Sequence, residues 1–166
     1  MQYLLVEGVA GVLLGVVLCY LIGAARAGGR SPRELARPAA LSALAVVVSV
    51  TQCVLGLFLT AAATSGDVAS WGSLADAVNR LDGVKMLAIA AAAAWLAVAG
   101  PALPRWLRAV TVPLSLSLIA SGYAYLTLAN GLGWTAYVSG PLLLLWVGGA
   151  GVAVTRRRRR AESGTS

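Results

Sequence analysis

The sequence contains no histidine, and only 11% of its 166 residues are charged. Without histidine the chain lacks the usual haem ligand, the commonest metal ligand and the commonest general base. A cytochrome with bis-histidine haem ligation is therefore excluded. The sequence also has no P-loop, no GxSxG, no HExxH and no CxxC motif. We expect neither a metal site nor a cofactor, and no motif identifies an enzyme.

The sequence is instead rich in apolar residues. Hydrophobic residues make up 59% of the sequence, and its mean hydropathy is +0.82. Soluble domains carry roughly 25% charged residues, so a soluble fold of this composition would have too little polar surface. Cys19 and Cys53 both fall inside apolar segments, where a free cysteine packs as a small hydrophobic residue. The composition predicts an integral membrane protein.

Five segments have about the 20 mainly apolar residues that a transmembrane helix needs. They cover residues 3–24, 38–64, 84–100, 106–129 and 134–154. The segment at 84–100 is the shortest and is rich in alanine. The fold class is therefore all-α, with one transmembrane domain over residues 1–155 that contains a bundle of five helices. Residues 156–166 are predicted to be a basic, disordered tail.

The distribution of Lys and Arg predicts the orientation of the bundle. Of the 13 cations, four lie between the first two segments, two lie at the start of the fourth and five follow the fifth. With the N-terminus outside, these eleven are cytoplasmic and only Arg80 and Lys85 are external, as the positive-inside rule requires. This predicts a multi-pass protein of the cell membrane with a cytoplasmic C-terminus.

A cleaved signal peptide is the alternative interpretation of the first segment. A signal peptide carries positive charge before its apolar core. Here Glu7 precedes most of the core, and the arginines follow it. The charge order favours a retained membrane helix.

Residues 65–83 form the long external connection. Apolar residues recur there at helical spacing, at Val68, Trp71, Leu74, Val78 and Leu81. This pattern predicts a short amphipathic helix on the outer membrane interface. A plain polar loop is the alternative.

Small residues recur every four positions in the first segment, at Gly11, Gly15, Cys19 and Gly23. Small residues at this spacing let another helix backbone approach closely. The stripe therefore predicts helix packing. Its partner is either another helix of this chain or a second copy, so a homo-oligomer or a larger membrane complex is a possible assembly.

Large polar side chains gather in the outer half of the predicted bundle. An ionisable residue within a membrane helix is costly, is usually paired and often has a function. We therefore predict an outward-facing polar pocket in which Lys85 pairs with Glu7. The predicted lining residues are Glu7, Gln52, Lys85, Tyr123, Trp134 and Tyr137. The alternative is an ordinary aromatic belt with polar helix ends.

Two functional hypotheses follow from this pattern. The first is a non-enzymatic accessory, binding or transport component. The second is a membrane enzyme acting on a lipophilic, isoprenoid- or quinone-like substrate, with Glu7 or Asp82 as the candidate acid. The partners expected are the lipid bilayer and, at Arg156–Arg160, anionic lipid headgroups. Nucleic acid is not expected, because no basic surface has interleaved aromatic residues.

Overall fold

The structure is a computed structural model. It describes residues 11, 14–19, 22–23, 26, 29, 31–66, 68–99, 103–128 and 134–163. The described residues are helical apart from short turns, and no strand occurs among them. Residues 14–19 belong to helix α1. The other helices are α2 (Pro32–Ser65), α3 (Val68–Ala99), α4 (Arg105–Thr127) and α5 (Thr135–Ser163).

Helix α2 begins six residues earlier than the sequence predicts, because a capping box fixes its N-terminus. The Glu34 backbone N–H donates to Ser31 Oγ over 3.3 Å, and the Ser31 backbone N–H donates to Glu34 Oε2 over 3.0 Å. Pro32 occupies the first helical turn, where its missing N–H costs nothing. Pro38, the predicted start of the span, lies inside the helix. The helix ends at Ser65, and Gly66 caps it with a left-handed φ of 74°.

The connection predicted at residues 65–83 is not a separate helix. Residues 68–83 are helical, but they continue without a break to Ala99 as one helix of 32 residues. Neither proline nor consecutive glycines interrupt this stretch. The division predicted at residue 83 is therefore wrong, and α2 and α3 form a long antiparallel hairpin closed by a short turn around Gly66.

Helix α3 lies at the centre of the bundle and packs against both α2 and α4. Its alanine-rich half supplies much of the core, including Ala88, Ala92 and Ala93. Small side chains allow neighbouring helices to approach on several sides at once. The alanine-rich half of α3 is therefore largely buried against its neighbours.

Helices α4 and α5 are joined by two buried hydrogen bonds between side chains. The indole Nε1–H of Trp146, which is fully buried, donates to Thr111 Oγ1 over 2.8 Å. The hydroxyls of Ser121 and Thr135 lie 2.8 Å apart. Such pairs satisfy polar groups that lipid cannot solvate.

Helix α5 also extends further than expected. It continues through the arginine run to Ser163, whereas the sequence predicts disorder from residue 156. Arginine is a good helix former, and no glycine or proline follows Gly151 before residue 164. The basic segment is therefore a helical extension of the last apolar helix.

The distribution of side chains is typical of a bundle surrounded by lipid. Three helices are long and apolar enough to cross a membrane: Pro32–Ser65, Ser70–Val98 and Arg105–Thr127. The apolar stretch Tyr137–Ala153 in α5 is shorter. Large apolar side chains such as Val47, Phe58 and Leu116 point outward, while several polar side chains are buried. The buried polar residues are Ser42, Ser49, Gln52, Asp82, Thr111, Ser121, Thr135 and Ser139.

Candidate functional site: a buried polar cluster between α2 and α3

A carboxylate, an ammonium and an amide meet between α2 and α3. The Lys85 ammonium forms an ion pair with Asp82, three residues earlier on α3. It also donates a 3.0 Å hydrogen bond to Gln52 Oε1 on α2. The amide nitrogen of Gln52 donates to Asp82 Oδ1 over 3.3 Å and to the carbonyl of Val78 over 3.2 Å. We call Gln52, Asp82 and Lys85 the polar cluster.

The side chains of the polar cluster are mostly, but not completely, enclosed by protein. Gln52 is only 3% exposed and Asp82 only 7%, and the Lys85 side chain is almost as enclosed. The two opposite charges cancel, and the amide contacts both of them. Because buried charges require both pairing and hydrogen bonds, the three residues form one interdependent unit.

Helix geometry explains how the sequence builds the polar cluster. Residues three apart lie on the same side of a helix, so Asp82 and Lys85 both face α2. Gly83 lies between them in the chain and faces α4 instead. A Cβ atom at Gly83 would lie 2.7 Å from the carbonyl oxygen of Gly122. One short stretch of α3 therefore bonds to α2 on one side and touches the α4 backbone on the other.

Two helices give a similar distance between the polar cluster and the arginines at the opposite end of the bundle. Along α2, Gln52 lies fifteen residues beyond Arg37, a rise of about 22 Å. Along α4, Gly122 lies seventeen residues beyond Arg105, a rise of about 25 Å. Gly122 in turn touches Gly83, the neighbour of Asp82. The two measurements agree to within one helical turn.

The structure brings together two of the predicted pocket residues, Gln52 and Lys85, and adds Asp82, which the sequence proposes only as a candidate acid. Lys85 has Asp82 and Gln52 as partners. The predicted partner of Lys85, Glu7, lies outside the described residues, so that pairing stays a prediction.

The three predicted aromatic lining residues lie elsewhere. Tyr123 is 59% exposed, Trp134 62% and Tyr137 84%. They occupy the outer surface of α4 and the start of α5, at the end of the bundle where Gly122 also lies. Exposed Tyr and Trp at one level are typical of an aromatic belt at a membrane interface.

The glycine stripe of α1 faces α2 at two of its four positions. A Cβ atom at Gly11 would collide with Ser49, and one at Gly15 would collide with Val46. At Gly23 nothing lies within 4 Å of such an atom, and Cys19 is exposed. The contacts with Ser49 and Val46 favour packing within this chain over packing against a second copy.

The ion pair with Asp82 is the contact that sequence reasoning missed. A break assumed at residue 83 places Asp82 in a loop and Lys85 in a membrane helix. The spacing of three between opposite charges is the signal that would have found the pair. No pattern in the sequence predicts the close contact of Gly83 with Gly122.

Metal-binding side chains do not converge in the part of the chain that the structure describes. No group of three or more His, Cys, Asp or Glu residues there is arranged to hold a metal ion. The chemistry available at the polar cluster is therefore hydrogen bonding and charge pairing by an amide, a carboxylate and an ammonium.

Comparison of the chain with protein families, with characterised proteins and with solved structures finds no match.

Proposed function

We propose that this chain is a multi-pass protein of the cell membrane with five spans, an external N-terminus and a cytoplasmic C-terminus. Its role is that of a non-enzymatic accessory, binding or transport component with a polar site that opens outward. The long apolar helices, the outward-facing apolar side chains and the position of the arginines support this proposal.

The polar cluster carries the functional part of the proposal. If the inner arginines mark the cytoplasmic edge of a hydrocarbon core of about 30 Å, the polar cluster lies about 5–8 Å below the outer edge. Charged residues at such a depth are costly and usually serve a binding or transport function. Asp82 and Lys85 are the two charged residues of this site, and Gln52 links them to α2.

The geometry favours a binding role over the alternative of an enzyme acting on a lipophilic substrate. An acid catalyst must deliver its proton to the substrate, whereas Asp82 is engaged by an ammonium and an amide. The aromatic residues that would stabilise a cationic intermediate, Tyr123, Trp134 and Tyr137, lie on the outer surface. The other candidate acid, Glu7, lies outside the described residues.

Three partners belong to the same proposal. The lipid bilayer surrounds the exposed apolar side chains, and anionic headgroups of the cytoplasmic leaflet attract the arginines at 156–160. An additional membrane subunit is proposed because a bundle of five helices is small for a transporter acting alone.

Cysteine labelling tests the orientation. In a background with Cys19 and Cys53 replaced by alanine, single cysteines are placed at Ser73 in α3 and Thr155 in α5, both exposed. A membrane-impermeant maleimide added to intact cells should label Ser73→Cys and not Thr155→Cys. Permeabilised cells should show both labels. Labelling of both sites in intact cells would mean an even number of crossings between them, and labelling of Thr155→Cys alone would invert the topology.

A second labelling experiment tests whether the polar site opens outward. In the same background, Gln52→Cys should react with a small charged thiosulfonate added outside, more slowly than Ser73→Cys. Val47→Cys is the matched control, because Val47 is highly exposed but would face lipid, where no thiolate forms. Equal reactivity of Gln52→Cys and Val47→Cys, or none at Gln52→Cys, would count against an outward-facing pocket.

A further inference from the structure

A second surface lies at the opposite end of the bundle, where α4 begins beside α5. Gly149 of α5 packs against the side chains of Trp106 and Leu107, and a Cβ atom there would lie 3.0 Å from Leu107 Cδ1. Leu107 is fully buried, whereas Trp106 remains half exposed. The start of α4 therefore packs against α5, and the indole of Trp106 stays partly exposed.

A narrow apolar face runs along α5 next to this contact and ends in an arginine. At 100° per residue, Leu145, Gly148, Val152 and Arg156 fall within about 80° of one another. All four are exposed. A Cβ atom at Gly148 would meet nothing within 4 Å, so the face has a notch between Leu145 and Val152.

Each of the two helices has an exposed arginine at this end of the bundle. Arg156 ends the apolar face on α5, and Arg105, which is also exposed, begins α4 beside Trp106. Because Trp106 lies against Gly149, Arg105 and Arg156 are about two helical turns apart along α5. Guanidinium groups bind phosphate through paired, charge-assisted hydrogen bonds, and a Trp at this level is typical of a membrane interface.

We propose that this face binds one acidic phospholipid, with an acyl chain along Leu145, Gly148 and Val152 and the phosphate held by Arg105 and Arg156. The inference rests on the proposed membrane location and refines the general attraction of the arginine run to anionic lipid. A neutral phospholipid carries the same acyl chains, but its compensating cationic headgroup is repelled by the arginines. Charge complementarity therefore selects the acidic lipid.

Lipid titration of the purified protein in a neutral detergent tests this site. Dioleoyl phosphatidylglycerol is added and bound lipid is counted by native mass spectrometry, with dioleoyl phosphatidylcholine as the comparison. The wild-type protein should bind the first phosphatidylglycerol more tightly than phosphatidylcholine. With about 1 kcal/mol for each cation near an anionic surface, R105Q/R156Q should weaken phosphatidylglycerol binding about 30-fold.

Two further variants separate a lipid site from general attraction. Gly148→Leu keeps every charge and has room for its side chain, but it fills the notch, so it should weaken phosphatidylglycerol binding several-fold. Arg80→Gln removes an exposed cation at the other end of the bundle and should leave this binding unchanged. Each variant is compared with the wild type for thermal unfolding in lipid-free detergent, so that misfolding is recognised.

The proposal is overturned if R105Q/R156Q binds phosphatidylglycerol as the wild type does, or if Arg80→Gln weakens binding equally. A Gly148→Leu variant that binds normally would leave the acyl chain without its site and would also contradict the proposal. Because this binding is measured in detergent, it is independent of orientation. Failure of the cysteine-labelling experiment and failure of lipid binding are therefore separate outcomes.

Discussion

Lys85→Met is expected to destabilise the protein by about 3–5 kcal/mol, the usual cost of removing one member of a buried ion pair. Methionine fills a similar space along the aliphatic part of the side chain. It leaves the Asp82 carboxylate without its counter-charge and Gln52 Oε1 without its donor. The free energy of unfolding is measured by denaturant titration in a mild detergent.

The double variant Asp82→Asn with Lys85→Met distinguishes the loss of a charge partner from a simple loss of packing. Here no charge remains buried, and the side-chain amide introduced by Asp82→Asn keeps an oxygen that accepts from the Gln52 amide. Replacing a whole buried ion pair is often neutral or even stabilising. We expect the double variant to recover most of the loss, to within about 1–2 kcal/mol of the wild type.

Arg80→Met provides the matched control for this series. Arg80 lies on the same helix, two residues before Asp82, but it is exposed, so its removal should change stability by less than about 0.5 kcal/mol. If Lys85→Met is as mild as Arg80→Met, Lys85 is solvated and the polar cluster is not an interdependent unit. If the double variant is as unstable as Lys85→Met, the residues do not depend on one another.

The helical bundle could be predicted because long apolar runs are a strong signal in the sequence alone. Counting residues along each helix also brings Gln52 and Lys85 to a similar depth, and the structure joins them by a hydrogen bond. Depth along a helix is thus readable from a single sequence.

Rotation of each helix about its axis is not readable in the same way. The sequence predicts Tyr123 and Trp134 at a suitable depth for a pocket, but they face outward. Which side of a helix faces its neighbours depends on packing, and in this bundle most sides are apolar. Polar residues at the helix ends therefore give no indication of whether they line a pocket or a membrane interface.

Helix ends are misplaced by the sequence for a related reason. Hydropathy falls where α3 acquires Asp76, Asn79, Arg80 and Asp82, and such a fall predicts the end of a membrane helix. The chain instead continues as a helix, since its backbone hydrogen bonds do not depend on side-chain polarity. The arginine run of α5 misleads in the same way. A fall in hydropathy predicts the edge of a lipid-facing segment. The end of the helix itself depends on capping and helix-breaking residues.

Gly83→Ala is the second substitution expected to have a large effect. The new methyl group would lie 2.7 Å from the carbonyl oxygen of Gly122 and 3.1 Å from the backbone nitrogen of Leu126. Neither backbone atom can move by changing a rotamer, so the backbones of α3 and α4 must move apart. Overpacking of this kind costs about 1–3 kcal/mol, and it opposes the gain of about 1 kcal/mol that alanine gives over glycine in a helix.

We therefore expect Gly83→Ala to lower the free energy of unfolding by up to about 2 kcal/mol, and Gly83→Val to lower it further. Gly72→Ala is the matched control on the same helix, because nothing lies within 4 Å of its Cβ position. It should be neutral or stabilising by up to about 1 kcal/mol. If both alanine variants stabilise the protein equally, α3 and α4 are not in backbone contact at Gly83.

A contact at Gly83 would also reach the polar cluster. Gly83 lies between Asp82 and Lys85 in the chain, so a shift of α3 away from α4 presses these side chains toward Gln52. The coupling energy between Asp82 and Lys85, measured with their single and double variants, should therefore be smaller when Gly83→Val is also present. An unchanged coupling energy would mean that α2 and α4 hold α3 independently.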